Sequence, residues 1–399
     1  MIPVTQPYLP ERSRLDKYID GIYERCWLTN NGPLVQELTQ RLEAYLGVEN
    51  LLLVGNGTLA LQIAFRTLGI QRPVGKRSAE AITTPFTYIA TASAIKWEGI
   101  EPVFADIDAD TWCIDPERIR EKISSRTRAL VPVHVFGNSC DVESINKLAK
   151  RHRLKVVYDA SHAFGVRLNG ESLLSQGDAS TLSFHATKLF HSVEGGAIIF
   201  KHRRDLKKAR KLINFGITGP EQIEALGVNA KMTEFQAAMG LSVLDEIEQN
   251  AAGKARVFQT YQHLLNAIPK APVTFQQFHP DIQVNDAYVP ILFNDEHTCL
   301  EAKALLQDNG YQARRYFNPS LDTLRLLSKR KQKCPVSRDI ASRILCLPSY
   351  AVLEDTHIAR VARLLREMLS PSTPLNKFTT HETQSKQYSF PVSASPCQL

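Results

Sequence analysis

No stretch of this 399-residue chain strings together the roughly 18 apolar residues that a membrane helix needs. The opening residues, MIPVTQPYLPERSR, hold neither a basic leader nor a long apolar run, so no secretory signal is expected. The seven cysteines, at positions 26, 113, 140, 299, 334, 346 and 397, form no C-x-x-C and pair with no histidine at metal-ligand spacing. A metal site is therefore not expected. A dispersed, odd set of thiols implies a reducing compartment and no disulfide framework, so the expected location is the cytoplasm. No internal repeat is evident. The net charge of +7 gathers in three short stretches, KHRR at 201–204, RRDLKKARK at 203–211 and SKRKQK at 328–333. These read as solvated faces, and neither a nucleic-acid nor a membrane partner is expected.

What is present is a chain 43% hydrophobic, enough for a substantial core. Residues 13–48 read as helical on either side of Gly32-Pro33, the second stretch being amphipathic from Leu34 to Leu46 with Gly47 as its stop. From 51 to 200, short apolar strands at 51–54, 81–84, 102–105, 129–133, 154–158, 180–184 and 197–200 alternate with helical stretches such as 59–68, 88–97, 115–123 and 143–152. That rhythm predicts an α/β fold with a mostly parallel sheet of seven strands sandwiched by helices. Residues 203–214 and 229–251 read as long helices with no strand between them. From 252 the pattern shifts to a smaller α+β unit, with helices at 252–267, 297–308 and 354–369 and strands near 287–293 and 311–317. The expected domains are therefore 1–250, whose N-terminal segment is free to join the small domain, and 251–370. The Ser-, Thr- and Pro-rich stretch 371–399 reads as a disordered tail.

The chemistry concentrates in TLSFHATKLFHSVEGG, residues 181–196. Lys188 follows one strand-like run, and Asp159, in VVYDASHAFG, ends another. Upstream, LLLVGNGTLALQIA reads as strand, Asn56-Gly57-Thr58 turn and helix, and a helix N-terminus with its free N–H groups holds phosphate readily. A lysine amine, a strand-end carboxylate and a Gly-Thr loop are what a pyridoxal 5′-phosphate enzyme needs. The amine bonds the cofactor's aldehyde, the aspartate keeps its ring nitrogen protonated, and the loop holds its phosphate. Each signal alone also fits an ordinary βα turn or helix cap.

Their order resembles the DegT/StrS family of sugar aminotransferases, of the fold-type I group. WLTNNGPLVQELTQRLEAYLGV, NGTLALQIA, TTPFTYIATASAI, EPVFADIDADTWCIDPERI, LVPVHVFGNSCDV, SFHATK, EGGA and GVNAKMTEFQAAMGLSVL stand in family order from about residue 2 to about 365. The resemblance implies Lys188 as the catalytic amine and pyridoxal 5′-phosphate as cofactor. It also implies cofactor contacts from Gly57, Thr58, Leu59, Asp159 and Ser183, His162 over or beside the ring, and Tyr88 stacked on it, with Phe86 as a rival. Asn229 would reach the phosphate across a homodimer interface, giving shared active sites. Lys231 carries no role, and His185 and His191 flank the lysine without replacing it. Glu194 stands in a turn where Val193 replaces the family's usual glycine; sugar contact and simple turn capping both remain open for it. Arg314, Arg315 and Tyr316 are candidates for sugar or diphosphate contact. The implied substrates are a nucleotide-linked keto-deoxysugar, such as dTDP-4-keto-6-deoxyglucose on a route to O-antigen or another glycan, and L-glutamate. Part of the positive charge would then draw the diphosphate. A carbon-3 aminotransferase and a non-catalytic regulatory relative are the alternatives; dehydratases of this fold carry histidine where Lys188 stands.

Overall fold

The computed structural model describes residues 1–268 and 273–370. Seven strands build the central sheet: β1 (Leu51–Val54), β2 (Glu80–Thr83), β3 (Glu101–Phe104), β4 (Thr127–Val131), β5 (Lys155–Asp159), β6 (Ala179–Ser183) and β7 (Gly196–Phe200). Their order is β1-β7-β6-β5-β4-β2-β3. The pairs β2–β3, β2–β4, β4–β5 and β5–β6 are parallel, and β7 alone runs against its neighbours. Successive side chains go to opposite faces, as the period of two demands. Leu51 and Leu53 join one core with Phe184 and Phe190, whereas Leu52 and Val54 join another with Phe65 and Phe200. Both faces are thus apolar and covered, which is why the strands read as continuous hydrophobic runs. Helix Gly57–Leu68 covers one face, and helices Pro33–Leu46 and Glu234–Asp245 cover the other.

Residues from 257 onward build a second core around an antiparallel sheet of Val273–Thr274, Pro290–Phe293 and Ile344–Cys346. Helices Ile247–Asn266, Glu296–Asp308, Pro335–Arg343 and Asp355–Leu369 surround it. The N-terminus joins this half: Ile2 N–H donates to the Gly310 carbonyl at 2.8 Å, and Ser349 N–H to the Val4 carbonyl at 3.0 Å. The expected boundary at 250 falls inside helix Ile247–Asn266, which begins in one core and ends in the other. The expected tail, 371–399, lies outside the described residues.

Three expectations need correction. Residues 229–251 are not one helix. Thr233 and Gln236 form a capping box, the Gln236 N–H on the Thr233 hydroxyl (3.2 Å) and the Thr233 N–H on the Gln236 amide oxygen (2.9 Å), so the helix starts at Glu234 and breaks at Glu246. Between the two long helical stretches a hairpin, Ile217–Gly219 with Gln222–Ile223, appears where no strand was expected. Residues 311–317 form no strand either. They make isolated bridges, Tyr311 with Ile2 and Arg314 with Cys346, and the chain then turns as Asn318 N–H bonds the Arg315 carbonyl at 2.9 Å.

Candidate active site

In open α/β sheets, ligands bind beyond the carboxyl ends of the strands. Here β1, β2, β5 and β6 end on one rim, and a cavity of about 760 Å³ opens there. It is lined by Gly57, Thr58, Leu59, Tyr88, Asp159, His162, Ser183, Lys188, Glu194, Arg314 and Tyr316, so eleven of the thirteen residues singled out from sequence meet around one space.

Asp159 is 5% exposed at the end of β5. Its Oδ2 accepts from the Thr91 hydroxyl at 2.7 Å, and its Oδ1 from the Ser161 hydroxyl (2.6 Å) and N–H (3.1 Å). These donors are all neutral, so no cation hydrogen-bonds the carboxylate, which lines the cavity. Lys188 Nζ donates to the Tyr288 hydroxyl at 3.1 Å. Burial lowers the amine's pKa, against the opposing pull of Asp159. Burial also raises that of Tyr288, which keeps its proton. The His162 ring lies parallel to Phe317, within 1° and 5.7 Å between centroids, and accepts the Phe136 N–H on Nδ1 at 3.2 Å. Its pKa falls well below the ordinary value through burial, then through the Lys188 charge. The ring is neutral, with its proton assigned by this hydrogen bond to Nε2.

At the phosphate end, Asn56 caps helix Gly57–Leu68 through its side chain, which takes the Leu59 N–H at 2.9 Å. Gly57 and Thr58 supply the N–H groups that lack an intrahelical acceptor. The turn presses on β6: a Cβ on Gly57 would come within 2.9 Å of the Ser183 Cβ. Gly196 is equally constrained, since its Cβ would fall 2.7 Å from the Asn56 carbonyl. Glycines at 57 and 196 therefore let loop, strand and lysine turn converge. Tyr88 is half exposed into the cavity, whereas its rival Phe86 is fully buried against Phe136 and Phe317.

Two candidates lie elsewhere. Arg315 does not line the cavity: its guanidinium is tied to Glu296 at 2.6 Å and the Ser342 carbonyl at 2.5 Å. Asn229 is exposed outside its own chain's cavity, where its side-chain oxygen accepts from Lys231 at 2.8 Å. The basic stretches at 201–211 and 328–333 do not border the cavity. Arg330 instead meets Glu80 at the amino end of β2, at 2.7 Å. Sequence reasoning missed Thr91, Ser161, Tyr288 and Phe317, which are common residue types with no periodic signature. Thr91, within the TTPFTYIATASAI segment, and Ser161, within VVYDASHAFG, stood inside motifs already noted.

Residues 11–366 match the DegT/DnrJ/EryC1/StrS aminotransferase family. The chain belongs to that family. It is 38% identical over 371 residues to a dTDP-4-amino-4,6-dideoxy-D-glucose transaminase of Shigella dysenteriae, covering 92% of this chain and 98% of the relative. It is 36% identical over 380 residues to the Escherichia coli transaminase of the same name, covering 91% and 98%. Its fold matches the crystal structure of DesI in the presence of its TDP-sugar product, with TM-score 0.85, 33% identity and 92% and 93% of the two chains covered. The chain is a pyridoxal 5′-phosphate-dependent aminotransferase of the sugar-modifying kind. The cavity fits that cofactor: its lining holds the free N–H groups of the Gly57 turn, the Ser183 hydroxyl, the Asp159 carboxylate with its neutral donors, and an amine with lowered pKa.

Proposed function

We propose that this aminotransferase moves an amino group from L-glutamate to dTDP-4-keto-6-deoxyglucose, giving dTDP-4-amino-4,6-dideoxyglucose for O-antigen or another glycan. The observation that carries the substrate is the pair of relatives at 36–38% identity bearing that transaminase name over nearly their whole length. The cavity supports an anionic substrate, because Arg314 is its only guanidinium among the described residues. Arg314 lies over the Tyr316 ring at 5.1 Å and donates to its hydroxyl at 3.3 Å, so the two present one preformed surface to a diphosphate or a carboxylate.

When bound, the cofactor supplies an electron sink for the carbon that gains or loses nitrogen. The chain's residues do the rest. Gly57, Thr58 and Ser183 would hold the phosphate, and Asp159 would keep a proton on the ring nitrogen. Tyr88 and His162 would contact the ring. Lys188, its pKa lowered by burial, moves the proton at the reacting carbon, and the neutral Tyr288 hydroxyl orients its amine. Glu194, which lines the cavity 3.8 Å from the His185 ring, takes a sugar hydroxyl in this reading.

The protein is read as a homodimer in which Asn229 enters the partner's site. Support comes from its position on an exposed surface that also carries Phe215, Leu226, Val228 and Phe235. A cytoplasmic location fits the six described cysteines, all of them free. The test is the product formed by the purified enzyme from dTDP-4-keto-6-deoxyglucose and glutamate, read by mass spectrometry and NMR. An amine on carbon 4 is expected; an amine on carbon 3, or no product, overturns the reading.

A further inference from the structure

Buried polar groups that the site does not yet explain stand together on helix Ile247–Asn266. Asn250 and Lys254 are four residues apart, hence on one helix face, and are 2% and 5% exposed. Neither hydrogen-bonds a charged group. Asn250 Nδ2 donates to the Leu189 carbonyl at 2.7 Å. Lys254 Nζ donates to the Ser349 carbonyl at 2.7 Å and the Ala287 carbonyl at 3.2 Å.

The three carbonyls come from three separate segments, and each segment runs into the cavity. Leu189 follows Lys188. Ala287 precedes Tyr288, whose hydroxyl holds the Lys188 amine, and Ser349 with Ala287 forms part of the wall. Between the two polar residues, Gly253 brings the helix so close that a Cβ there would lie 2.7 Å from the Ala351 Cβ. Burying an amine without a carboxylate is costly, and an unbranched apolar side chain would fill the same volume without that cost. What the amine adds is two directional bonds to two loops at once.

We propose that Asn250 and Lys254 are positioning residues for transamination, tying the loops of Lys188, Tyr288 and Ser349 to one rigid helix and so fixing the contact between the Lys188 amine and the Tyr288 hydroxyl. The proposal rests on Lys188 being the reacting amine. A displacement near 1 Å at such a contact costs up to about 100-fold in rate.

Lys254→Met in the holoenzyme removes both bonds and keeps the volume. The expected result is a fall in kcat of roughly 10- to 100-fold with KM for both substrates within about threefold. The pH midpoint of the lysine-bound cofactor's visible band moves, while cofactor content holds and Tm does not fall. Lys254→Arg, which keeps the donors, regains part of the kcat. Asn250→Leu provides the same reading from the other anchor should Lys254→Met fail to fold. Wild-type kcat and an unmoved band midpoint, in a setting where Lys188→Ala has lost both, overturn the positioning role; so does a loss of kcat that follows lost cofactor content. Turnover by Lys188→Ala with an intact band instead overturns the underlying assignment of the amine, and the positioning role with it.

Discussion

Two carboxylates in the same sheet are almost equally buried and are built for opposite ends. Glu80, at the start of β2 and 1% exposed, is ringed by Arg126, Arg330 at 2.7 Å and the Ser124 hydroxyl at 2.5 Å. Its charge is met from within the chain. Asp159, at the end of β5 and 5% exposed, receives only neutral donors and faces the cavity. A buried charge held by neutral groups is stabilised but not cancelled, so it is ready for a cation that arrives with a ligand. What separates the structural carboxylate from the functional one is therefore the charge of its partners, and burial alone says nothing about which is which.

The largest effect should come from the cation that Asp159 already feels. Lys188→Ala removes the amine and should cut turnover by about 10⁴-fold or more, with loss of the lysine-bound cofactor band. Circular dichroism should stay as in the wild type, because a partly buried lysine adds little to the core. Measurable steady-state turnover with that band intact would sink the role.

The two carboxylates can be set against each other directly. Asp159→Asn keeps the shape and the Thr91 contact but removes the charge, and should lower kcat by roughly 10²–10³-fold while Tm changes little. Glu80→Gln strands two arginines, one of them well buried, and should cost roughly 2–3 kcal/mol of stability with kcat unchanged. That is below the figure for a fully buried pair because Arg330 is half exposed. Steady-state kinetics and thermal melts on both variants decide the matter. If both lose kcat, or both lose only Tm, partner charge is not what distinguishes them.

This contrast also marks how far the chain could be read without coordinates. The seven strands were legible because each is a short apolar run, and Gly57, Asp159 and Ser183, each at or just past a strand end, fall on one rim for that reason. Partner identity was not legible. Nothing in the run AEAIT announces that Glu80 meets Arg330, because that pairing joins residues 250 positions apart. Tyr288 and Phe317 were hidden for the same reason: they reach the site from distant parts of the chain, through loops with no period, and pack there against Phe136. Arg315 was misplaced by one residue of chain direction, since neighbours in a turning segment point apart. The break before Glu234 was readable in principle, as the Thr-x-x-Gln pattern of its capping box.

A third buried charge sharpens the comparison through pH. Burial lowers the Lys254 pKa from 10.5 to about 7, and its hydrogen-bond partners are carbonyls. Between those two values the unfolded chain holds a proton that the native protein lacks, so stability rises with pH across that window. Below pH 7 both forms are protonated and the penalty is full; above 10.5 both are neutral and it is gone. Lys254→Met should therefore be stabilised relative to wild type most strongly near pH 6, and the advantage should shrink by a few kcal/mol towards pH 10. Chemical denaturation of the two proteins at pH 6, 8 and 10 gives the answer. A difference that stays constant, or grows with pH, contradicts the lowered pKa.

The smallest expected effect lies in the backbone of the lysine turn. Val193 holds φ +67°, a left-handed conformation that a β-branched residue adopts only under strain. Its N–H bonds the His191 ring at 3.3 Å, Ser192 and Gln236 bond the Glu194 carbonyl at 2.9 and 2.7 Å, and Gly195 and Gly196 follow. The neighbours thus force the conformation. Val193 itself is half exposed, so its side chain repays little by burial. Val193→Gly relieves about 1–2 kcal/mol of strain and adds up to about 1 kcal/mol of unfolded-chain entropy, leaving a net gain of roughly 0.5–1 kcal/mol. No comparable gain exists at Glu80, where the backbone is ordinary strand. The expected readout is a small rise in Tm with kcat within about twofold of wild type. A fall in Tm would mean that the turn is set by Val193 packing rather than by the hydrogen bonds around it, and the rim would then not be the strained end of the sheet.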